Sequence, residues 1–162
     1  MSEIVKRLHD LLDGSGVEYE IIHHRDDFRA QTTAEDTHTP PGEFAKTVFL
    51  WIDGGYAIAV LPATHYVAES KLAHSLGAEK IRLASEFEMQ DLCPDCEVGA
   101  APPFGKLYGL PSYVSPLLTR DERITFNAGT HRDAVRMRYA DYERLADPQE
   151  VPISRHETEP DD

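Results

Sequence analysis

The chain has 162 residues, a formal charge of −13 and a pI near 4.9, with 41% hydrophobic and 28% charged residues. This suits one folded domain with a real core and excludes a disordered chain. The acidity argues against broad phosphate-driven nucleic-acid binding, no apolar run is long enough to span a membrane, and the start has no signal-peptide core, so a cytoplasmic protein is expected.

In chain order, residues 3–13 read as a helix, with Ile4, Leu8, Leu11 and Leu12 on one face and Gly14 or Gly16 as the stop. "VEYEIIHH", from Val17, alternates as a strand. "TTAEDTHTPP" offers Thr32 or Thr33 as the cap of a short helix ended by Pro40 and Pro41. His23, His24 and His38 have no ligand-like spacing and read as loop or strand-end residues. "KTVFLWID" and "YAIAVLP" are the strongest strand signals, joined at Asp53-Gly54-Gly55 as a hairpin; both are nearly all apolar, so both of their faces should be covered. "SKLAHSLGAEKIRLAS" reads as a helix ended at Gly77, then a strand over 81–83. "SEFEMQDL" reads as a helix with Ser85 and Glu88 as a capping box.

"CEVGAAPPFGKLYGLP" is too rich in Gly and Pro for a regular element. "SYVSPLL", "RITFNAG" and "AVRMRYA" read as three further strands and "ADYERLAD" as a closing helix. The expected fold class is α+β: one mixed, mostly antiparallel, twisted or barrel-like sheet flanked by helices, a single domain over residues 1–147. From Asp147 on, six acids face the single Arg155, so this stretch carries −5 and the rest of the chain −8. Residues 148–162 are therefore expected to be a disordered acidic tail. Basic residues cluster between Arg120 and Arg144, which leaves room for a local basic patch.

Cys93 and Cys96 form one C-x-x-C pair without a second pair at zinc-site spacing. In a cytosolic chain the expectation is two reduced cysteines in a loop, with metal or thiol redox chemistry as the other reading. Two features remain as candidates for chemistry. Lys46 stands immediately before an apolar strand. Its ammonium either snorkels into solvent or faces a cleft, where it would hold a phosphate or polarise a carbonyl. "GAAPPFG" (Gly99, Ala100, Ala101, Pro102, Pro103, Phe104 and Gly105) is either an ordinary rigid turn or a loop that lets backbone N–H groups approach a small carbonyl or anion. No nucleophile-elbow, zinc-protease, Walker or dinucleotide motif is present.

In order, "AKTVFLW", "YAIAVLP", "KLAHSLGAEKIRLASEFEM", "VGAAPPFG" and "ITFNAGTHRDAVRM" resemble the YbaK family of aminoacyl-tRNA editing domains, also found inserted in bacterial prolyl-tRNA synthetases. The resemblance runs from about Val17 to Leu145. It implies a trans-editing hydrolase that deacylates mischarged aminoacyl-tRNA, acting on the acceptor end, with an aminoacyl-tRNA synthetase as a further partner and neither metal nor cofactor. It implies Lys46 as the catalytic residue that holds the phosphate–sugar end, residues 99–105 as the pocket for the aminoacyl group, and His131 as a pocket residue. One departure is Ser115, in "YVS", where many members have an aspartate; Thr47 is another variable position. The small residues Ala100, Ala101 and Pro102 suggest a small amino acid such as alanine, serine or cysteine. The competing readings are a non-catalytic tRNA-binding or regulatory module on the same fold, a thiol redox protein, and a hydrolase of small esters acting without tRNA.

Overall fold

The computed structural model describes residues 3–24, 37 and 39–156. The short helix expected at Thr32 or Thr33, and His38, lie outside the described residues.

Helix α1 (Glu3–Gly14) buries Ile4, Leu8 and Leu12. Strand β1 (Tyr19–His23) follows, then a 3₁₀ turn (Pro41–Glu43) that feeds β2 (Phe44–Ile52) and β3 (Gly55–Pro62). The β2–β3 turn is the expected hairpin. Asp53 (φ 47°) and Gly54 (φ 93°) are both left-handed, as a tight hairpin demands. The Asp53 carboxylate also accepts the amides of Glu79 (3.1 Å) and Lys80 (2.7 Å), which pins the next connection to this turn.

Strand β4 (His65–Val67), helix α2 (Glu69–Leu76) and strand β5 (Ile81–Leu83) come next, with Gly77 ending α2 at φ 65°. Helix α3 (Glu86–Leu92) opens with both halves of the Ser85–Glu88 capping box. Arg82 meets Glu88 at 2.7 Å and, with the cap, holds that carboxyl well below the usual carboxylate range. A 3₁₀ turn (Gly105–Leu107) precedes strand β6 (Ser112–Val114). "SYVSPLL" is therefore not all strand. Ser115 caps a short helix, α4 (Pro116–Thr119), because its hydroxyl accepts the Leu117 amide and Pro116 already has helical φ. Strands β7 (Arg123–Asn127) and β8 (Asp133–Arg138) and helix α5 (Tyr139–Ala146) complete the expected elements.

The expectation of a disordered tail from 148 fails over its first half. Residues 149–156 include β9 (Gln149–Glu150), paired with β6, and β10 (Ser154–His156), paired with β4, while Val151 and Ile153 are buried. Charge counting had missed those two apolar anchors.

The large sheet runs β1-β8-β7-β2-β3-β6-β9, with β5 also on β2; β4 and β10 form a separate ribbon. Pairing is largely antiparallel, with parallel contacts at β2–β7, β3–β6 and β6–β9. One face of β2 and β3 sends Ala45, Phe49 and Val60 into the main core with α1, α5 and the aromatics Phe104, Phe126 and Tyr142. The other sends Leu50, Ala59 and Leu61 against Leu72, Val151 and Ile153. Both faces are covered, which is why these strands read as continuous apolar runs. No helix among the described residues is long and apolar enough to cross a membrane.

Candidate active site

Strand β2 changes partners along one edge. Phe44 and Ala45 pair with β7, Leu50 to Ile52 pair with β5, and residues 46–49 between them have no strand on that side among the described residues. Lys46 is the first residue past the Ala45–Phe126 pair, and Asn127 is the next residue on the opposite lip. The sheet is split here. Asn127 is 7% exposed, and its Oδ1 has no hydrogen-bond partner among the described residues. A buried amide oxygen left unpaired is costly, so it marks a place where a ligand or water can bond.

Side-chain alternation sends Lys46 to the face of Val48 and Leu50, away from the main core. Its ammonium lies 4.7 Å from the centre of the Tyr66 ring, and burial lowers its pKa. Lys46 is half-buried. Arg155 of β10 approaches the same ring, 5.7 Å from its centre. The row continues across the sheet: Lys46 pairs with Leu61, and Ser115 follows the Val60–Val114 pair on the same side. Ser115 Oγ lies 3.3 Å from Ser154 Oγ. Here a groove of about 310 Å³ is lined by Ser115, Leu117, His65, Lys71, Ile153 and Ser154, among others.

The loop over 99–105 packs on the core side of the split. Glu97 N–H donates to Gly129 O, and Gly129 N–H donates to Ala100 O, so the loop is tied to the β7–β8 connection. Gly99 and Ala101 face Phe49 across a hollow of only about 10 Å³, closed on its far side by Met89, Cys93 and Cys96. Tyr108 donates to Pro102 O and Tyr142 to Pro103 O, each at 2.7 Å. Gly105 N–H donates to Ser112 Oγ at 3.0 Å, and a Cβ there would stand 2.2 Å from Leu110 O, so only glycine fits. The amides of Gly99, Ala101 and Phe104 donate to no acceptor among the described residues.

His131 is 3% exposed. Its Nε2 is 2.5 Å from Val98 O, its backbone N–H donates to the Glu97 carboxylate, and its ring fills the side of Gly99 where a Cβ would point. It braces the loop from behind.

The predicted site residues thus form two groups. Residues 99–105 and His131 lie together on the core side; Lys46 and Ser115 lie on the other face. Cys93 and Cys96 are joined in a disulfide, which corrects the expectation of two reduced thiols: Pro94 and Asp95 turn the chain back just after α3 and bring the sulfurs together. Among the described residues no three His, Cys, Asp or Glu side chains could hold a metal ion. Sequence reasoning missed Asn127, Tyr66 and Arg155. Only Asn127 carried a signal, as a polar residue in phase with Thr125 in "RITFN". A second, apolar groove of about 460 Å³ between α1 and β1–β8, beside the His23–Asp133 contact at 2.5 Å, contains none of the predicted site residues.

A mixed, largely antiparallel sheet flanked by helices is the fold that the sequence resemblance implied. The family model described as "Aminoacyl-tRNA editing domain" matches residues 24–145, and the chain belongs to that family. It is 32% identical over 155 residues, 93% of this chain and 92% of the relative, to the Multifunctional Ser/Thr-tRNA deacylase ProXp-y of Escherichia coli strain K12. Among solved structures, it superposes on a candidate trans-editing enzyme for prolyl tRNA synthetase (TM-score 0.83, 19% identity, 96% of this chain and 99% of that one). It also superposes on the hypothetical protein APE2540 (TM-score 0.82, 15% identity, 92% and 99%). These two likenesses show the fold.

Proposed function

We propose that this chain hydrolyses the ester of mischarged aminoacyl-tRNA carrying a small amino acid, with serine and threonine as the first candidates. Family membership and a relative named as a Ser/Thr-tRNA deacylase support the reaction class. The observation that carries the site is Lys46: a half-buried cation at the lip of a gap in the sheet, beside a buried amide oxygen that has no partner among the described residues.

An aminoacyl ester is already activated, so hydrolysis needs positioning and charge stabilisation more than a protein nucleophile. Lys46 holds a phosphate of the acceptor end, and the aminoacyl group enters the split. Water attacks the ester carbonyl carbon, the bond to the ribose oxygen breaks, and the ribose oxygen takes up a proton, leaving free amino acid and deacylated tRNA. Asn127 Oδ1 is suited to accept a hydrogen bond from the substrate's ammonium or hydroxyl. The Gly99 and Ala101 amides supply N–H dipoles behind the split, held in place by His131 and the two tyrosine hydroxyls. The hollow between the loop and Phe49, no larger than one water, leaves no room for a large side chain. Such a second sieve has a use because a synthetase pocket separates similar small side chains poorly. The reaction would take place in the cytoplasm on tRNA released by a synthetase, with which the chain would work in sequence.

The test is a deacylation panel of seryl-, threonyl-, alanyl- and cysteinyl-tRNA, on cognate and mismatched tRNAs, with wild type and Lys46→Ala side by side. Rapid loss of one aminoacyl-tRNA, abolished in Lys46→Ala, is the expected result. A folded Lys46→Ala protein as active as wild type would remove the site, and no activity on any substrate would remove the function.

A further inference from the structure

Strand β10 lies beyond residue 145, where the family match ends, yet it is built into the face that carries Lys46. Arg155 pairs with Tyr66 in the β10–β4 ribbon, and its guanidinium and the Lys46 ammonium both lie within 6 Å of the centre of the Tyr66 ring. Lys71 Nζ donates to Ser154 O at 3.1 Å, and Ser154 Oγ meets Ser115 Oγ, so the strand is fixed on both sides at the residue before the arginine. On a chain of net charge −13, two cations share one aromatic ring, and a third, Lys71, lines the adjoining groove. Concentrated cations next to a groove attract a polyanion even where the protein as a whole repels it.

We propose that Arg155 is a second phosphate-binding residue for the tRNA acceptor end, and that Tyr66 is the positioning residue that holds Arg155 and Lys46 at a common spacing. The inference rests on the deacylase reading above and extends it: the C-terminal strand, outside the matched domain, completes the anchor. A planar guanidinium grips phosphate in two-pronged fashion, whereas Lys46 acts as a point charge. The aromatic face gives both cations a favourable resting place by its quadrupole.

The experiment uses the full chain with Arg155→Gln, Arg155→Lys, Tyr66→Phe and Tyr66→Leu. Arg144→Gln, an exposed residue of α5 away from the groove, is the control for loss of one charge. Two quantities are read: the KM and kcat of deacylation, and the salt dependence of binding to uncharged tRNA. Arg155→Gln is expected to raise KM about tenfold with kcat within about twofold, and to make the log–log salt slope of binding shallower by about 0.7 to 1. Arg155→Lys should retain most of the affinity, Tyr66→Phe should match wild type, and Tyr66→Leu should follow Arg155→Gln, since only the ring is needed. Arg155→Gln and Arg144→Gln indistinguishable in both KM and salt slope would overturn the proposal while leaving the deacylase reading intact. Should wild type hydrolyse no aminoacyl-tRNA, that reading falls, and the binding arm decides alone: weaker tRNA binding by Arg155→Gln keeps the anion site, and equal binding removes it.

Discussion

The loop around Gly99 and the surface around Lys46 sit on opposite faces of the same split in the sheet, and they are built in opposite ways. On the loop side several carbonyls and side chains are spent internally, although the Gly99, Ala101 and Phe104 amides are not: tyrosine hydroxyls cap the Pro102 and Pro103 carbonyls, Ser112 takes the Gly105 amide, and His131 closes against Val98. On the Lys46 side, the Lys46 ammonium rests on the Tyr66 ring and the Asn127 amide oxygen has no donor among the described residues. A region whose hydrogen bonds are closed resists change and positions others; a region with open ones is ready for a ligand. Substitutions on the two sides should therefore fail differently, one in stability and the other in activity.

The largest expected effect lies on the open side. Lys46→Met should lower kcat/KM by about a hundredfold or more, as loss of a preorganised charge does at other sites. It should not lower the melting temperature. Burial lowers the Lys46 pKa, so the charged form is the one the fold disfavours, and an apolar side chain of similar length removes that penalty. Kinetics and a thermal melt on the same preparation check both halves. A variant that keeps its activity, or loses it only by unfolding, breaks the contrast.

The tied side should respond in reverse. Gly105→Ala would place a Cβ 2.2 Å from Leu110 O and 2.5 Å from Ser112 Oγ. The oxygen belongs to the backbone, and the hydroxyl cannot move without losing the Gly105 amide, so about 2–3 kcal/mol of stability should go, as for overpacking elsewhere. Urea denaturation measures it. Gly99→Ala should be milder, about 1 kcal/mol, because the clash with the His131 ring is only ordinary contact at 3.5 Å and the cost comes from φ 83°. Activity per folded molecule should change less than stability in both variants; a hundredfold fall in kcat with stability intact would assign the loop to the reaction itself.

The two sides also differed in how far the sequence disclosed them. Lys46 was legible because a charge directly before a continuous apolar run breaks the pattern. The loop was legible because Gly and Pro restrict backbone geometry wherever they occur. The Asp53-Gly54 hairpin, the Gly77 stop and the Ser85–Glu88 box were legible for the same local reason. What escaped depends on distant pairing. Nothing near Val151 and Ile153 announces that Leu50, Leu61 and Leu72 will cover them, and six acids in the last sixteen residues pointed instead to a free tail. Once those two residues anchor the segment, β10 forms on β4, and Tyr66 and Arg155 become neighbours despite their separation along the chain. Ser115 was noticed as a departure from its family, but its role as a helix cap depends on Pro116 following it. The Cys93–Cys96 disulfide escaped because the compartment rule weighs against it, whereas the local turn favours it.

The smallest expected effect concerns Asp121, between α4 and β7. Burial, and then the nearby Glu43 charge, push its carboxyl up to about 6, and its Oδ2 has no hydrogen-bond partner among the described residues. The folded chain therefore holds this proton more tightly than the unfolded one, whose aspartate titrates at about 3.9. As pH rises from about 4 to about 6, the unfolded state releases the proton first, and the carboxyl makes the fold progressively less stable across that window. Above it the penalty is constant. Asp121→Asn removes the charge while keeping the shape, so at pH 7.5 it should raise stability, by no more than about 1 kcal/mol because the side chain is partly solvated. At pH 4, where the native carboxyl is already protonated, it should change almost nothing. Melts of the two proteins at both pH values decide it. Equal stability at pH 7.5 would mean that the ionised carboxyl is compensated in place. Glu43 closes the turn that feeds β2, three residues before Lys46, so any such compensating cation would belong to the open side of the molecule and would have to be counted with it.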